Sequence, residues 1–450
     1  MSVILIKILQ FVVSLSLLVM IHEFGHYIAA RIFKIRVEKF YIFFNPWFTL
    51  YKRKIGNTEY GIGWLPLGGY VSLSGMIDES MNLEQMKQEP QPWEFRTKPA
   101  WQRLIVMLAG VMMNVILAIV IYSGMLYAWG ESYYLNDNMI NGYAFNEEGH
   151  KLGFEDGDRI LSIDGKHIGK VNEIGTMLLI ADDTRHVEVL RAGDTVEFDI
   201  PLERLVAMRE SGGYKGLYQE YAPFIVENVI SESAIAAGYL PGDRIVAIDN
   251  QKVANFVEGM NQLSTIKNRS VNIEVERIMT DSLGVSSKQL VTLHTPIGED
   301  SCIGIERANI TPAEITHVEY GFFESIPAGI QRAGNEISSY WEQLKMIVNP
   351  DTKLYKEVGG FIAIGNVFPE AWDWQSFWSI TALISIMLAV MNLLPIPGLD
   401  GGHALFTLWE IITRRKPSDK FMEIMQWIGL ALLLALLVYA NGNDILKLFN

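Results

Sequence analysis

Four stretches, near Ile4 to Ala30, Leu104 to Trp129, Phe377 to Ile396 and Phe421 to Ala440, are so apolar that each approaches or exceeds the roughly 20 residues needed to cross the hydrocarbon of a bilayer. No other feature constrains the chain as strongly. Lipid offers no hydrogen bonds, so a crossing segment must satisfy its own backbone, and runs of this length do so as helices. Half of the 450 residues are apolar, which is high for a purely soluble protein. The expected fold is a polytopic α-helical membrane protein with four transmembrane helices, at 1–30, 101–129, 373–403 and 421–442. A long polar insert separates the second from the third.

The formal charge of −14 sits mostly in that insert, where acids outnumber bases roughly two to one over residues 131–320. Such a surface excludes nucleic acid as a partner. After the first apolar run the balance reverses, with Arg31, Lys34, Arg36, Lys39, Lys52, Arg53 and Lys54 against Glu38 and Glu59, and Arg414, Arg415 and Lys416 lie between the third and fourth runs. Excess Lys and Arg mark the cytoplasmic side. The loops at 31–100 and 404–420 are therefore expected inside, and both termini and the acidic insert outside. Cys302 is the only cysteine, so an intramolecular disulfide is impossible and the insert must fold by core burial. The apolar stretch behind Lys7 has no small-x-small cleavage site, which argues against a signal peptide.

The insert contains a repeat. Gly153-Phe-Glu-Asp-Gly-Asp-Arg-Ile-Leu-Ser-Ile-Asp-Gly165 aligns with Gly238-Tyr-Leu-Pro-Gly-Asp-Arg-Ile-Val-Ala-Ile-Asp-Asn250 at an offset of 85 residues, a spacing that suits tandem domains. Each copy reads as a turn, a short strand with alternating Ile, and a tight turn, followed by a helical stretch. The pattern resembles the PDZ domain, and implies two tandem PDZ-like domains at 130–217 and 218–312. Generic β domains are the competing reading. The Gly-Leu-Gly-Phe carboxylate loop of PDZ domains is absent, so no peptide-binding residue is assigned. Residues 313–372 form an amphipathic helical region. In it, Tyr320 to Val348 carries apolar residues at helical spacing, suited either to a membrane surface or to ordinary packing. The segment Thr58 to Leu73 is Gly-rich and apolar, and such backbone is tolerated at membrane depth only beside protein or a water-filled cavity. A re-entrant β-hairpin near 56–76 meets that condition.

The chemistry lies in the first apolar run. His22-Glu-Phe-Gly-His26 sets two imidazoles one helical turn apart on one face, the spacing one metal ion needs, with Glu23 beside them. Ionisable groups at mid-membrane cost at least ~2.5 kcal/mol each, so three within five residues demand compensation. Catalytic zinc takes three protein ligands and an open position. The third is sought in Asn392-Leu-Leu-Pro-Ile-Pro-Gly-Leu-Asp400-Gly-Gly-His403, whose prolines and glycines break the helix there. Asp400 and His403 are both candidates on chemistry alone.

HExxH in a first span, paired with Asn-x-x-Pro-x-Pro-x-x-Asp-Gly in a late one, resembles the site-2 protease family of intramembrane zinc metalloproteases. The four spans, tandem PDZ-like insert and Gly-Gly-Tyr-Val hairpin are similar to its bacterial regulator of sigma-E protease branch over nearly the full length. The resemblance implies Zn²⁺ held by His22, His26 and Asp400, Glu23 as catalytic base, Asn392 on the substrate backbone, and Gly68, Gly69, Tyr70 and Val71 as an edge that pairs with substrate. It leaves His403 as a loop histidine. It also implies a multi-pass protein of the bacterial inner membrane, with the PDZ-like domains and both termini periplasmic. The implied substrates are single-span membrane proteins in the bilayer, such as a trimmed anti-sigma factor or signal peptide remnants. Two departures stand out: Phe43-Phe44-Asn45-Pro46 replaces a Gly-Phe-Gly turn, and Gly110-Val-Met-Met-Asn114 lacks the proline after its glycine. An inactive PDZ scaffold or chaperone would need neither Glu23 between two histidines nor the Asp400 motif. A metal transporter would need more spans.

Overall fold

A computed structural model describes residues 3–66, 68–76, 89–253, 255–280, 286–308 and 313–449. Leu67, within the expected hairpin, and residue 312, the expected end of the second repeat domain, lie outside these. The chain divides into two compact units, residues 1–131 with 318–450, and residues 132–317.

The first unit is built on helices α1 (Val3–Ile32), α2 (Ala100–Trp129), α3 (Phe322–Val348), α4 (Trp374–Leu393), α5 (Asp400–Thr413) and α6 (Asp419–Phe449). Four of them, α1, α2, α4 and α6, are long and apolar enough to cross a membrane, matching the four runs. Helix α2 is the hub, packing against α1, α3, α4 and α5. Buried hydroxyls join the helices where apolar surface alone gives no direction. Thr381 Oγ1 lies 3.0 Å from Ser14 Oγ, and Ser385 Oγ donates to the Asn114 carbonyl at 2.8 Å. Asp373 caps α4 by accepting from the Ser376 N–H.

Two expected boundaries shift. The third run does not continue as one helix to residue 403, because Pro395 and Pro397 cannot supply helical N–H groups, and α4 ends at Leu393. The stretch read as a loop, 404–420, is helical as far as Thr413. Its helix, α5, is held to α2 by Arg103 Nη2 on Glu410 Oε1 at 2.5 Å.

The expected hairpin is part of a larger sheet. Strands β1 (Val37–Tyr41), β2 (Phe44–Ile55), β3 (Thr58–Leu65) and β4 (Tyr70–Leu73) are ordered β2-β3-β1-β4, with β1 parallel to β3 and antiparallel to β4. Glycines allow the backbones to approach closely, since a Cβ at Gly63 would lie 2.1 Å from the Phe44 carbonyl oxygen. Asn45, one of the departures, is held by Tyr70, whose hydroxyl donates to its Oδ1 at 3.1 Å. The amphipathic stretch forms α3, which buries Gly329 and Ala333 on one face and leaves Phe323, Ile330 and Trp341 exposed on the other. Its buried face packs on α2 and α4.

The second unit holds two β domains of one design, each with its own core. Tyr143, Phe154, Ile160, Ile163 and Val187 fill the first, and Phe224, Val226, Ile245, Ile248 and Ile273 the second. The repeated Gly-Asp places a carboxylate inside each domain, with Asp158 0% and Asp243 1% exposed. A buried carboxylate needs a partner. Arg191 supplies one, with Nε and Nη2 2.8 and 2.7 Å from the two oxygens of Asp158, and Arg277 repeats the fork on Asp243 at 2.7 and 2.7 Å. Hydrogen bonding to the carboxylates pushes both guanidinium pKa values above the ordinary arginine range. The second repeated aspartates, Asp164 and Asp249, take φ of 53° and 46° in the tight turns. The strand Tyr218–Glu220 pairs with Tyr143–Phe145, so the first domain extends past the expected boundary at 217. Three residues are too few for a sequence pattern to assign to one domain or the other.

Candidate active site

His22 and His26 lie inside α1, one turn apart, and are 9% and 7% exposed. Asp400 is the first residue of α5, delivered to them by the turn after α4. A Cβ at Gly401 would fall 2.2 Å from the Leu394 carbonyl oxygen, so only glycine lets that turn fold this tightly on the start of α5. The result is a close triangle of donor atoms. Nε2 of His22 and Nε2 of His26 are 3.2 Å apart, and Oδ2 of Asp400 is 3.1 and 3.2 Å from them.

That triangle fits a tetrahedral cation. Zinc–ligand bonds of about 2.0–2.1 Å at the tetrahedral angle separate ligand atoms by roughly 3.3 Å. The ring chemistry agrees for His26, whose Nδ1 is 2.8 Å from the Val106 carbonyl oxygen. A carbonyl only accepts, so Nδ1 carries the hydrogen and Nε2 presents its lone pair. Oδ2 of Asp400 is shielded from solvent, with the two imidazole nitrogens as its polar neighbours, a position suited to a shared cation. Among the described residues these three form the one group of His, Cys, Asp and Glu able to share an ion. His403, the other candidate, stands on the wall of the same cavity outside that group.

The cavity has a volume of about 480 Å³ and gathers every residue expected at the site: His22, Glu23, His26, Gly68, Gly69, Tyr70, Val71, Asn392 and Asp400. Val71 of β4, an outer strand of its sheet, stands beside Glu23 on the cavity wall, and β4 packs against the HExxH helix. Sequence reasoning passed over the contribution of α2. Val106, Gly110 and Asn114 recur at a spacing of four and face the histidines: the first through its carbonyl, the second by having no side chain, the third through its amide, 3.3 Å from His22 Nδ1. The spacing was visible; what it faced was not. Gln426 of α6 also lines the cavity, 8% exposed.

Comparison with known proteins bears on what this arrangement does. Residues 10–436 match peptidase family M50. The chain is 30% identical over 462 residues to the "Regulator of sigma-E protease RseP" of Escherichia coli, covering 98% of each chain. It is 28% identical over 466 residues to the "Regulator of sigma E protease" of Haemophilus influenzae, again with 98% of each covered. A Xylella fastidiosa protein described as "Putative zinc metalloprotease" is 29% identical over 456 residues, 97% of each chain. With a family match across nearly the whole length and a donor triangle of zinc dimensions, the chain belongs to peptidase family M50 and is a zinc metalloprotease.

Proposed function

We propose that this protein is an intramembrane endopeptidase that cuts transmembrane segments of single-span membrane proteins, with His22, His26 and Asp400 as zinc ligands and Glu23 as general base. The observation that carries the proposal is the donor triangle within an apolar helix of spanning length, opening on a cavity beside a β edge. Zinc held there supplies Lewis acidity for the scissile carbonyl and the attacking water. Glu23 takes a proton from that water on a carboxylate oxygen and hands it to the leaving amide nitrogen, so the carboxylate is regenerated each turnover. It lines the cavity beside Val71.

A substrate helix hides its peptide bonds in its own hydrogen bonds and must unwind before attack. Strand β4, with Gly68 and Gly69 leading into it, offers Tyr70 and Val71 as an edge on which an unwound segment pairs, by strand addition. Asn392, half-buried on the opposite helix α4, holds the substrate backbone near the scissile bond.

The proposed setting is a bacterial inner membrane with both termini and the insert in the periplasm, on the basis of the basic loops. Following the sigma-E regulators that the chain is similar to, the proposed substrates are an anti-sigma factor already trimmed outside and signal peptide remnants. The two β domains act as PDZ-like modules that keep bulky substrates out. Glu23→Gln tests the central claim: purified protein should keep its zinc and lose cleavage of a reporter transmembrane substrate. Undiminished cleavage would remove Glu23 from the chemistry.

A further inference from the structure

Asn114 is fully buried in the apolar helix α2, where a primary amide is costly unless its groups are used. Its backbone carbonyl accepts from Ser385, but its side chain has one neighbour of consequence, His22. The amide nitrogen lies 3.3 Å from His22 Nδ1, and the buried Oδ1 has no hydrogen-bond partner. That orientation has a chemical consequence. An N–H donated to Nδ1 makes Nδ1 the acceptor, so the ring hydrogen sits on Nε2, the atom that points at Asp400 and at the cation position.

A half-turn about the Cβ–Cγ bond exchanges the two amide atoms with almost no change of shape. Oδ1 then accepts from Nδ1–H, and Nε2 is left with a free lone pair. The oxygen gains a donor and the ligand atom recovers its lone pair, while the amide nitrogen gives up His22 as its acceptor. His26 already has the equivalent arrangement, with the Val106 carbonyl as acceptor. Asn114 sits two turns along α2 from Val106, so one helix would hold both rings in the same tautomer.

We propose that Asn114 is a positioning residue for the zinc site, its side-chain oxygen accepting the Nδ1–H of His22 and thereby fixing the tautomer and ring angle that present Nε2 to the metal. The inference rests on His22 being a zinc ligand, and goes beyond that reading by assigning the group that orients it. Partners of this kind are worth roughly 10–100-fold in metal affinity.

The test is zinc affinity of the purified full-length protein in detergent, measured by competition with a chromophoric chelator. Asn114→Leu, which has similar bulk and no acceptor, should bind zinc 10–100-fold more weakly. Asn114→Asp and Asn114→Thr both keep an oxygen at the position, and at least one should stay within about threefold of the parent. Zinc binding by Asn114→Leu equal to the parent's would overturn the inference, as would equal losses in all three variants. The zinc-site reading fails separately, in its own control: a parent protein whose affinity is unchanged by Asp400→Ala would sink that reading whatever Asn114 does.

Discussion

Replacing Gly110 with alanine would put a methyl carbon 2.4 Å from Nε2 of His26 and 2.7 and 2.8 Å from Cε1 and Nε2 of His22. Carbon and nitrogen rest about 3.5 Å apart, so the methyl overlaps the ligand atoms by roughly 1 Å. Relief by separating the helices would give up their close packing. Helices α1 and α2 touch so closely that a Cβ at Gly25 would lie 2.4 Å from the Ala109 carbonyl oxygen. Relief by turning the rings breaks the 2.8 Å contact of His26 Nδ1 with Val106. A 1 Å misplacement of a catalytic constellation costs on the order of 100-fold in rate, or about 2.7 kcal/mol. Helix α2 itself should persist, since alanine is the better helix former by ~1 kcal/mol. The same substitution at Gly124, on the same helix with nothing within 4 Å of its Cβ, is the control. In a cleavage assay with bound zinc measured in parallel, Gly110→Ala should lose at least 100-fold in rate and most of its zinc, and Gly124→Ala neither. Equal activity in the two variants would refute the claim that α2 forms the back wall of the site.

The buried fork in the first β domain makes a prediction about stability. Arg191→Met leaves the Asp158 carboxylate buried and without its two charged hydrogen bonds, which should cost the domain about 3 kcal/mol, the low end of the range because Arg191 is partly exposed. Pulse proteolysis of the insert across a urea series would report it, and an unchanged midpoint would show that the pair contributes nothing. Removing residues 131–310 tests the proposed filter: a substrate with its external domain intact should become cleavable at a rate near that of the trimmed form. Continued discrimination would place selection elsewhere.

Much of the protein was legible along the chain because the signals are local. A bilayer imposes a length on every apolar run, and four runs became four helices. A helix brings residues four apart onto one face, so His22 and His26 could be paired on spacing alone. The repeated Gly-Asp turns, each followed by a tight turn at Asp164-Gly165 or Asp249-Asn250, announced two like domains, and the structure added the reason for the first aspartate: a buried carboxylate answered by Arg191 or Arg277, 33 and 34 residues further along the chain.

What required the fold is everything that depends on which surfaces meet. Residue chemistry left Asp400 and His403 equal and only the family resemblance favoured Asp400; the tight turn after α4 gives the physical reason, bringing Oδ2 of Asp400 within 3.2 Å of both histidines while His403 falls outside the group. The hairpin read from Gly-rich sequence became a four-stranded sheet because β1, which looks like ordinary loop sequence, inserts between β3 and β4. Gly110 and Asn114 stood out only for the proline missing between them, and Val106 not at all, so nothing along the chain said that the three face the metal ligands. Periodicity tells which residues share a face, and it is tertiary packing that decides what the face meets, here the two imidazoles of α1.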